Sequence, residues 1–204
     1  MDKYSCFAEL RAREREGVDF QVRVQRRGNV STVILAPHGG GIEPGTSEVA
    51  VGVAGEELSF GAFEGVKRAG NGCLHITSIR FDEPRCLELV RSANRVVTIH
   101  GEGSGEKVVF LGGSDAELGN AIRAGLQQHG YTVRIHTDSQ LLGLDPLNIC
   151  NRGTRGIGVQ LELSAGLRAS LFASLKSKGR RSPTMEFGLL TSAIRQGLRE
   201  AGAL

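Results

Sequence analysis

Val30 to Ala36 (VSTVILA) is a β-rich apolar run that Pro37 closes, and the glycine-rich stretch His38-Gly39-Gly40-Gly41-Ile42-Glu43-Pro44-Gly45 follows it directly. An apolar run without polar alternation suits a strand covered on both faces, as in the interior of a parallel sheet. The remainder of the chain alternates strand and helix signals. A short charged helix is expected over 7–16, and Phe20, Val22 and Val24 alternate with polar residues as in a half-buried strand. Arg26-Arg27-Gly28-Asn29 reads as a turn, and a helix is expected from Thr46 or Ser47 to Ala54. Further strands are expected over 58–63, 74–81, 96–99, 107–111, 131–135 and 159–163. Asp82-Glu83-Pro84 opens a helix to about Ala93, with Asp82 as its cap and proline in its first turn. Ser114-Asp115-Ala116-Glu117 has the form of a capping box, and His129-Gly130 stops the helix it opens. Helices over 167–176 and 184–201 end the chain. This pattern predicts an α/β three-layer sandwich with a mixed, mostly parallel sheet, and one domain over residues 1–204.

Composition narrows the class. The 204 residues are 40% apolar, enough for a globular core. No apolar run approaches the ~18 residues of a membrane span. The N-terminal residues lack the charged-then-apolar layout of a signal peptide, so cytoplasmic synthesis is expected, with release by lysis needing no signal. Cys6, Cys73, Cys86 and Cys150 form no C-x-x-C pair and are expected to be free thiols. A net charge of +3 does not by itself indicate nucleic acid, although 20 of the 25 basic residues are arginine, whose planar fork grips carboxylates and phosphates.

Chemistry concentrates in the histidines. His129 lies at a helix C-terminus and reads as structural, and His136 reads as a surface residue after a strand. His38 and His100 each follow an apolar strand directly, where open α/β sheets bind ligands. Glu43 lies on the same loop as His38, with three glycines between them to let the backbone turn back. Two ligands close in sequence and a third far away is a common layout for catalytic zinc, with the fourth position left for water. The competing reading is a phosphate-cradling loop, but the stretch has no P-loop lysine and does not match G-x-G-x-x-G. Glu162 sits among Val159, Leu161 and Leu163 on the opposite face of its strand. It is either a solvated carboxylate or, if that face lines the same crevice, a general base and acid. The loop over 138–158 is long enough to suggest function.

Five ordered segments carry a resemblance. Pro37 to Thr46 (PHGGGIEPGT) looks like the first zinc motif of the phage poly-γ-glutamate hydrolases. Leu74-His75-Ile76-Thr77-Ser78 with Phe81-Asp82-Glu83-Pro84, Ile99-His100-Gly101, Asn148-Ile149-Cys150-Asn151-Arg152 and Gly158-Val159-Gln160-Leu161-Glu162 continue the match over about residues 20 to 165. The resemblance implies a zinc carboxypeptidase-like fold and hydrolysis of γ-glutamyl amide bonds in an anionic γ-linked glutamate polymer. It also implies a Zn2+ ion on His38, Glu43 and His100, with Glu162 as the catalytic carboxylate. Arg152, with Asn151, is the expected grip on a substrate carboxylate, its alternative being an ion pair with Asp145 or Asp138. His75 is expected either to donate to substrate or to be a buried polar residue. Rival readings are a zinc amidase for another acylated amino acid or cell-wall peptide, and a phage replication accessory that binds nucleic acid. The latter would use Arg11-Ala12-Arg13-Glu14-Arg15 and Lys176-Ser177-Lys178-Gly179-Arg180-Arg181, but the chain has no Trp and only two Tyr to stack on bases.

Overall fold

In the computed structural model, which describes residues 2–28 and 31–204, the apolar run lies within a central strand, while Asn29 of the expected turn and Val30 fall outside the described residues. In chain order the strands are β1 (Phe20–Gln25), β2 (Thr32–Gly40), β3 (Ser59–Gly65), β4 (Arg95–Glu102), β5 (Val109–Gly113), β6 (Val133–Arg134) and β7 (Val159–Ser164). The helices are α1 (Phe7–Arg11), α2 (Thr46–Ala54), α3 (Pro84–Arg91), α4 (Ala116–Gln128), α5 (Ala165–Ser170) and α6 (Met185–Glu200). Among the described residues one mixed sheet of seven strands forms, in the order β1-β3-β2-β4-β7-β5-β6. Its centre, β3-β2-β4-β7, is parallel, and β1 and β5 join it antiparallel.

Each face of the sheet has its own core. Ile34, Ala36, Val97, Ile99, Val159, Leu161 and Leu163 face α2, α4 and α6. Val33, Leu35 and Val96 face α1, α3 and the segment carrying Leu74, Ile76 and Phe81. This is the expected three-layer α/β arrangement, with every residue of β2 buried. Among the described residues no helix is long and apolar enough to cross a membrane, and all four cysteines are free thiols.

Four local features differ from the sequence reading. Pro37 does not end β2; it sits in an irregularity where Ala36 pairs with Ala62 but Gly39 pairs with Glu64, one residue extra on β2. Proline is tolerated at such a bulge because no ladder donor is needed there. The extra residue reverses the alternation, turning His38 away from the face of Ile34 and Ala36. Residues 74–81 are not a strand: a 3-10 turn over Asn71–Leu74 leads into turns, and the backbone spends its groups singly, Ile149 N donating to the Ser78 carbonyl (3.0 Å) and His38 Nε2 to that of Ile76 (2.8 Å). The alternation of Leu74 and Ile76 reflects burial rather than pairing. The cap of α3 is Glu83, accepting from Cys86 N at 2.8 Å, because Asp82 is engaged by Phe7 N at 2.6 Å. The cap of α4 is Asp115 rather than Ser114, whose hydroxyl donates instead to Asn151 Oδ1.

Candidate metal centre

The carboxyl ends of β2, β4 and β7 converge on one cleft of about 300 Å³, lined by His38, Glu43, His75, His100, Glu102 and Glu162 among others. The bulge in β2 turns His38 into it. On β4, His100 falls on the face opposite Ile99, and it pairs in register with Glu162 on β7, so the two side chains stand side by side. Glu43 returns to the same point through the glycine turn. Gly40 makes that turn with φ +65°, and a Cβ there would lie 2.5 Å from the Gly65 carbonyl. Both constraints demand glycine.

The donor atoms face one another. His38 Nε2 is spent on the Ile76 carbonyl, leaving Nδ1 toward the cleft, 3.2 Å from Glu43 Oε1. His100 Nδ1 lies 3.2 Å from His38 Nδ1 and 3.9 Å from Glu43 Oε2. Ligands 2.0–2.1 Å from a tetrahedral ion stand roughly 3.3 Å apart. Three acceptor-rich groups crowded at this spacing, buried from water, fit a cation better than they fit one another. The set whose donor atoms all lie within 4.8 Å of one another is His38, Glu43 and His75, with His100 outside it. The His75 ring stacks on His38 with centroids 4.0 Å apart, its Nδ1 bonds Asp2 at 2.8 Å, and its Nε2 stands 3.8 Å from Glu43 Oε1. His100 approaches His38 nitrogen to nitrogen, whereas His75 lies over its face; the former spacing is compatible with two ligands on one ion.

The electrostatics follow from burial and proximity. His38 and His100 are 2% exposed and Glu162 is 4% exposed. Burial opposes a charged His38, but the neighbouring Glu43 carboxylate outweighs it and raises its pKa. Burial would raise Glu43, yet His38, His100 and the Gly101 N–H, 2.8 Å from Oε2, pull it down to about 2. His100 is lowered to about 3, by burial first and then by His38 and His75, which leaves it a neutral ring with a lone pair to offer. Burial, with the charges of Glu43 and Glu102 close by, pushes Glu162 well above the usual carboxylate range. Gln160 Nε2 donates to Glu162 Oε1 at 3.0 Å, and Asn148 Nδ2 in turn donates to Gln160 Oε1 at 2.9 Å, so the carboxyl group is held in a fixed orientation.

Sequence reasoning missed three of these positions. Asn148 and Gln160 lay in quoted motifs but had no assigned role. Buried Arg168 donates to the carbonyls of Leu163 (3.0 Å), Pro44 (2.8 Å) and Glu102 (2.9 Å), tying the ends of β4 and β7 to the loop that carries Glu43. A Cβ on Gly101 would lie 2.7 Å from its guanidinium carbon, so Gly101 admits the arginine. No local pattern marks it. His136 lines the cleft mouth rather than lying free on the surface. Arg152 and Asn151 do not reach the cleft. Arg152 donates to the Phe81 carbonyl at 2.9 Å and pairs with neither Asp145 nor Asp138. The Asn151 amide is spent on the carbonyls of Gly143 (2.8 Å) and Asp145 (2.9 Å), and its Oδ1 accepts from Ser114 and Gly158. These two residues pin the long loop, whose Gln140, Leu141 and Asn148 form one wall of the cleft.

Over most of its length the chain is similar to known proteins. The family model described as poly-gamma-glutamate hydrolase matches residues 4–193. The UPF0714 protein YndL of Bacillus subtilis (strain 168) is 40% identical over 180 residues, which are 87% of this chain and 70% of that protein. The SPbeta prophage-derived UPF0714 protein YoqZ of the same strain is 38% identical over 88% of this chain and 65% of its own length. Among solved structures, a bacteriophage poly-gamma-glutamate hydrolase superposes with a TM-score of 0.94 at 33% identity, over 98% of both chains. A zinc-free apo structure of YndL superposes with a TM-score of 0.90 at 36% identity, also over 98% of both.

Proposed function

We propose that this chain, which belongs to the poly-gamma-glutamate hydrolase family, is a zinc-dependent hydrolase of γ-glutamyl amide bonds, with His38, Glu43 and His100 as metal ligands and Glu162 as the proton-transfer group. The observation that supports the reading is that His38 Nδ1 lies 3.2 Å from both His100 Nδ1 and Glu43 Oε1, beside a buried, pKa-raised carboxyl group on the next strand. The name of the YndL structure, which specifies a zinc-free state, supports zinc as the ion.

A zinc ion held by these residues would supply Lewis acidity toward an amide carbonyl and a water molecule. The chain's own residues do the rest. Glu162 takes a proton from the attacking water and delivers it to the departing amine, a task suited to a carboxyl group whose pKa burial raises above the usual carboxylate range. Its Oε1 is anchored by Gln160, which leaves Oε2 for the reacting atoms. His75, oriented by Asp2 and stacked on His38, lines the cleft beside these groups. Gly101 N–H and Arg168 hold Glu43 and the strand ends in register.

The test is elemental analysis of purified protein together with a viscosity assay on poly-γ-glutamate. About one zinc per chain, chelator-sensitive loss of viscosity, and recovery on adding zinc are expected. A metal-free protein that cleaves the polymer rejects the metal assignment, and a zinc-loaded protein that cleaves only an α-linked or neutral acyl amino acid rejects the substrate.

A further inference from the structure

The cleft has one surprising deficiency for an enzyme acting on a polyanion: neither lysine nor arginine lines it, while Glu43, Glu102 and Glu162 do. The cations lie across the wall. The loop whose His38 and Glu43 line the cleft presents Gly40, Gly41 and Pro44 to a second groove of about 450 Å³. Arg23, Lys67, Arg68, Lys176, Arg180 and Arg181 line this groove against only Glu48 and Glu64. Six cations face two carboxylates in the lining and a third, Glu14, pairs with Lys67 from beside it, leaving a local excess of three. Three distant segments supply them: β1, the chain just after β3, and the basic run 176–181 that drew attention in the sequence.

The cations are not equally free. Arg180 is paired with Glu48 at 2.6 Å, Lys67 with Glu14 at 2.6 Å and Arg23 with Glu64 at 3.4 Å. These pairs fix the walls. Arg68, Lys176 and Arg181 are exposed and make no salt bridge among the described residues, so their charge is available to a ligand. Like charges gathered without partners repel one another, and a bound polyanion relieves that repulsion. No aromatic side chain lines the groove, so it offers no surface on which bases could stack. Repeated carboxylates on a flexible chain match what it does offer.

We infer that this basic groove is an extended subsite for the free carboxylates of a γ-linked glutamate chain, gripping units beyond those at the scissile bond. The inference rests on the substrate proposed above and adds where the polymer's charge is read. Residues in the cleft orient the amide; the groove across the glycine wall recognises length and charge. A long chain spans both, whereas a γ-linked glutamate trimer bound at the cleft leaves the groove empty. Recognition through exposed ion pairs is individually weak and screened by salt.

The experiment compares zinc-loaded wild type with the triple variant Arg68→Ser, Lys176→Ser, Arg181→Ser. A control triple variant, Arg13→Ser, Lys107→Ser, Arg199→Ser, removes the same charge elsewhere. For each, KM is measured on long poly-γ-glutamate and on the trimer, and retention of fluorescently labelled polymer is measured directly on a native gel. In the groove variant the polymer-to-trimer KM ratio is expected to rise about tenfold, the sum of three exposed contacts. Labelled polymer should be lost from that variant and kept by the control. An unchanged ratio with unchanged retention overturns the inference, and so does equal loss in both triple variants. Tighter retention of a single-stranded oligonucleotide than of the polymer, abolished by the groove substitutions, overturns it in favour of nucleic acid. If wild type cleaves neither chain, the proposed activity fails, and the retention result alone decides the groove.

Discussion

The cleft and the basic groove share one wall and differ in almost everything else. The cleft is buried, acidic and built from imidazoles and carboxylates on three adjacent strand ends; the groove is open, cationic and assembled from surface segments far apart in sequence. In the cleft His38 is oriented by the Ile76 carbonyl and Glu162 by Gln160, while the buried His100 Nε2 has no partner among the described residues. In the groove half of the cations make no salt bridge among the described residues. Low dielectric and fixed geometry suit bond breaking, where an ångström of misplacement costs rate. High dielectric and mobile side chains suit a polymer that must slide and leave.

The sharpest way to break this contrast is at the ligands. His38→Ala should abolish hydrolysis and lower zinc content together, as read by elemental analysis and turnover on one preparation; full activity without zinc would erase the distinction between the two regions. Next comes the wall itself. Gly40→Ala places a Cβ 2.5 Å from the Gly65 carbonyl in a backbone conformation of φ +65°. The strain of about 1–3 kcal/mol should move the Glu43 arm, weakening zinc affinity in a chelator competition and cutting activity. Unaltered zinc affinity would mean the loop is compliant.

A smaller effect is expected at Arg152. Its guanidinium is committed to the Phe81 carbonyl, so Arg152→Ala should lower the melting temperature by a few degrees while KM for the polymer stays within about twofold, as for a lost backbone hydrogen bond. A large rise in KM would return Arg152 to the substrate. Smallest, and outside the cleft, is Glu14, which accepts from Tyr4 (2.6 Å) and pairs with Lys67 of the groove and with Lys3. Burial opposes its charge, but these partners hold its pKa at about 2 against an ordinary 4.5. A depressed carboxylate stabilises the folded state above the unfolded pKa and stops doing so as pH falls through the folded one. The contribution should therefore fade between about pH 4.5 and 2, and Glu14→Gln should flatten that part of the acid-unfolding curve without altering turnover at neutral pH.

Legibility in the sequence follows the same division. His38 and His100 could be singled out because each ends an apolar run, and strand ends in such sheets meet at one edge. Glu162 could be singled out because it puts a carboxylate on the face of β7 opposite Val159, Leu161 and Leu163, where charge is costly unless solvated, paired or used. What lay beyond reach was whatever depends on register. The bulge that turns His38 into the cleft adds one residue without a local signature. Residues 74–81 alternate like a strand yet pair with no strand, because their carbonyls serve His38 and Arg152 singly. Arg168 reaches Pro44 across 124 positions of sequence. Asn151-Arg152 sits in a shared motif, but adjacency to a motif says nothing of side-chain direction, and both residues turn toward the loop they brace. The groove was visible only as a basic run whose opposite wall came from elsewhere.

The central claim is that one carboxyl group moves protons and does not hold the ion. Zinc content and turnover of Glu162→Gln, measured on the same preparation, test it most directly. The amide preserves shape and hydrogen bonding, so close to one zinc per chain should remain while turnover falls by ~10²–10⁴-fold. The acidic limb of the wild-type rate profile, where Glu162 gains its proton, should vanish with it. Loss of zinc from Glu162→Gln would make Glu162 a ligand, and near-full activity would leave it a bystander carboxyl group on β7; either result contradicts the account.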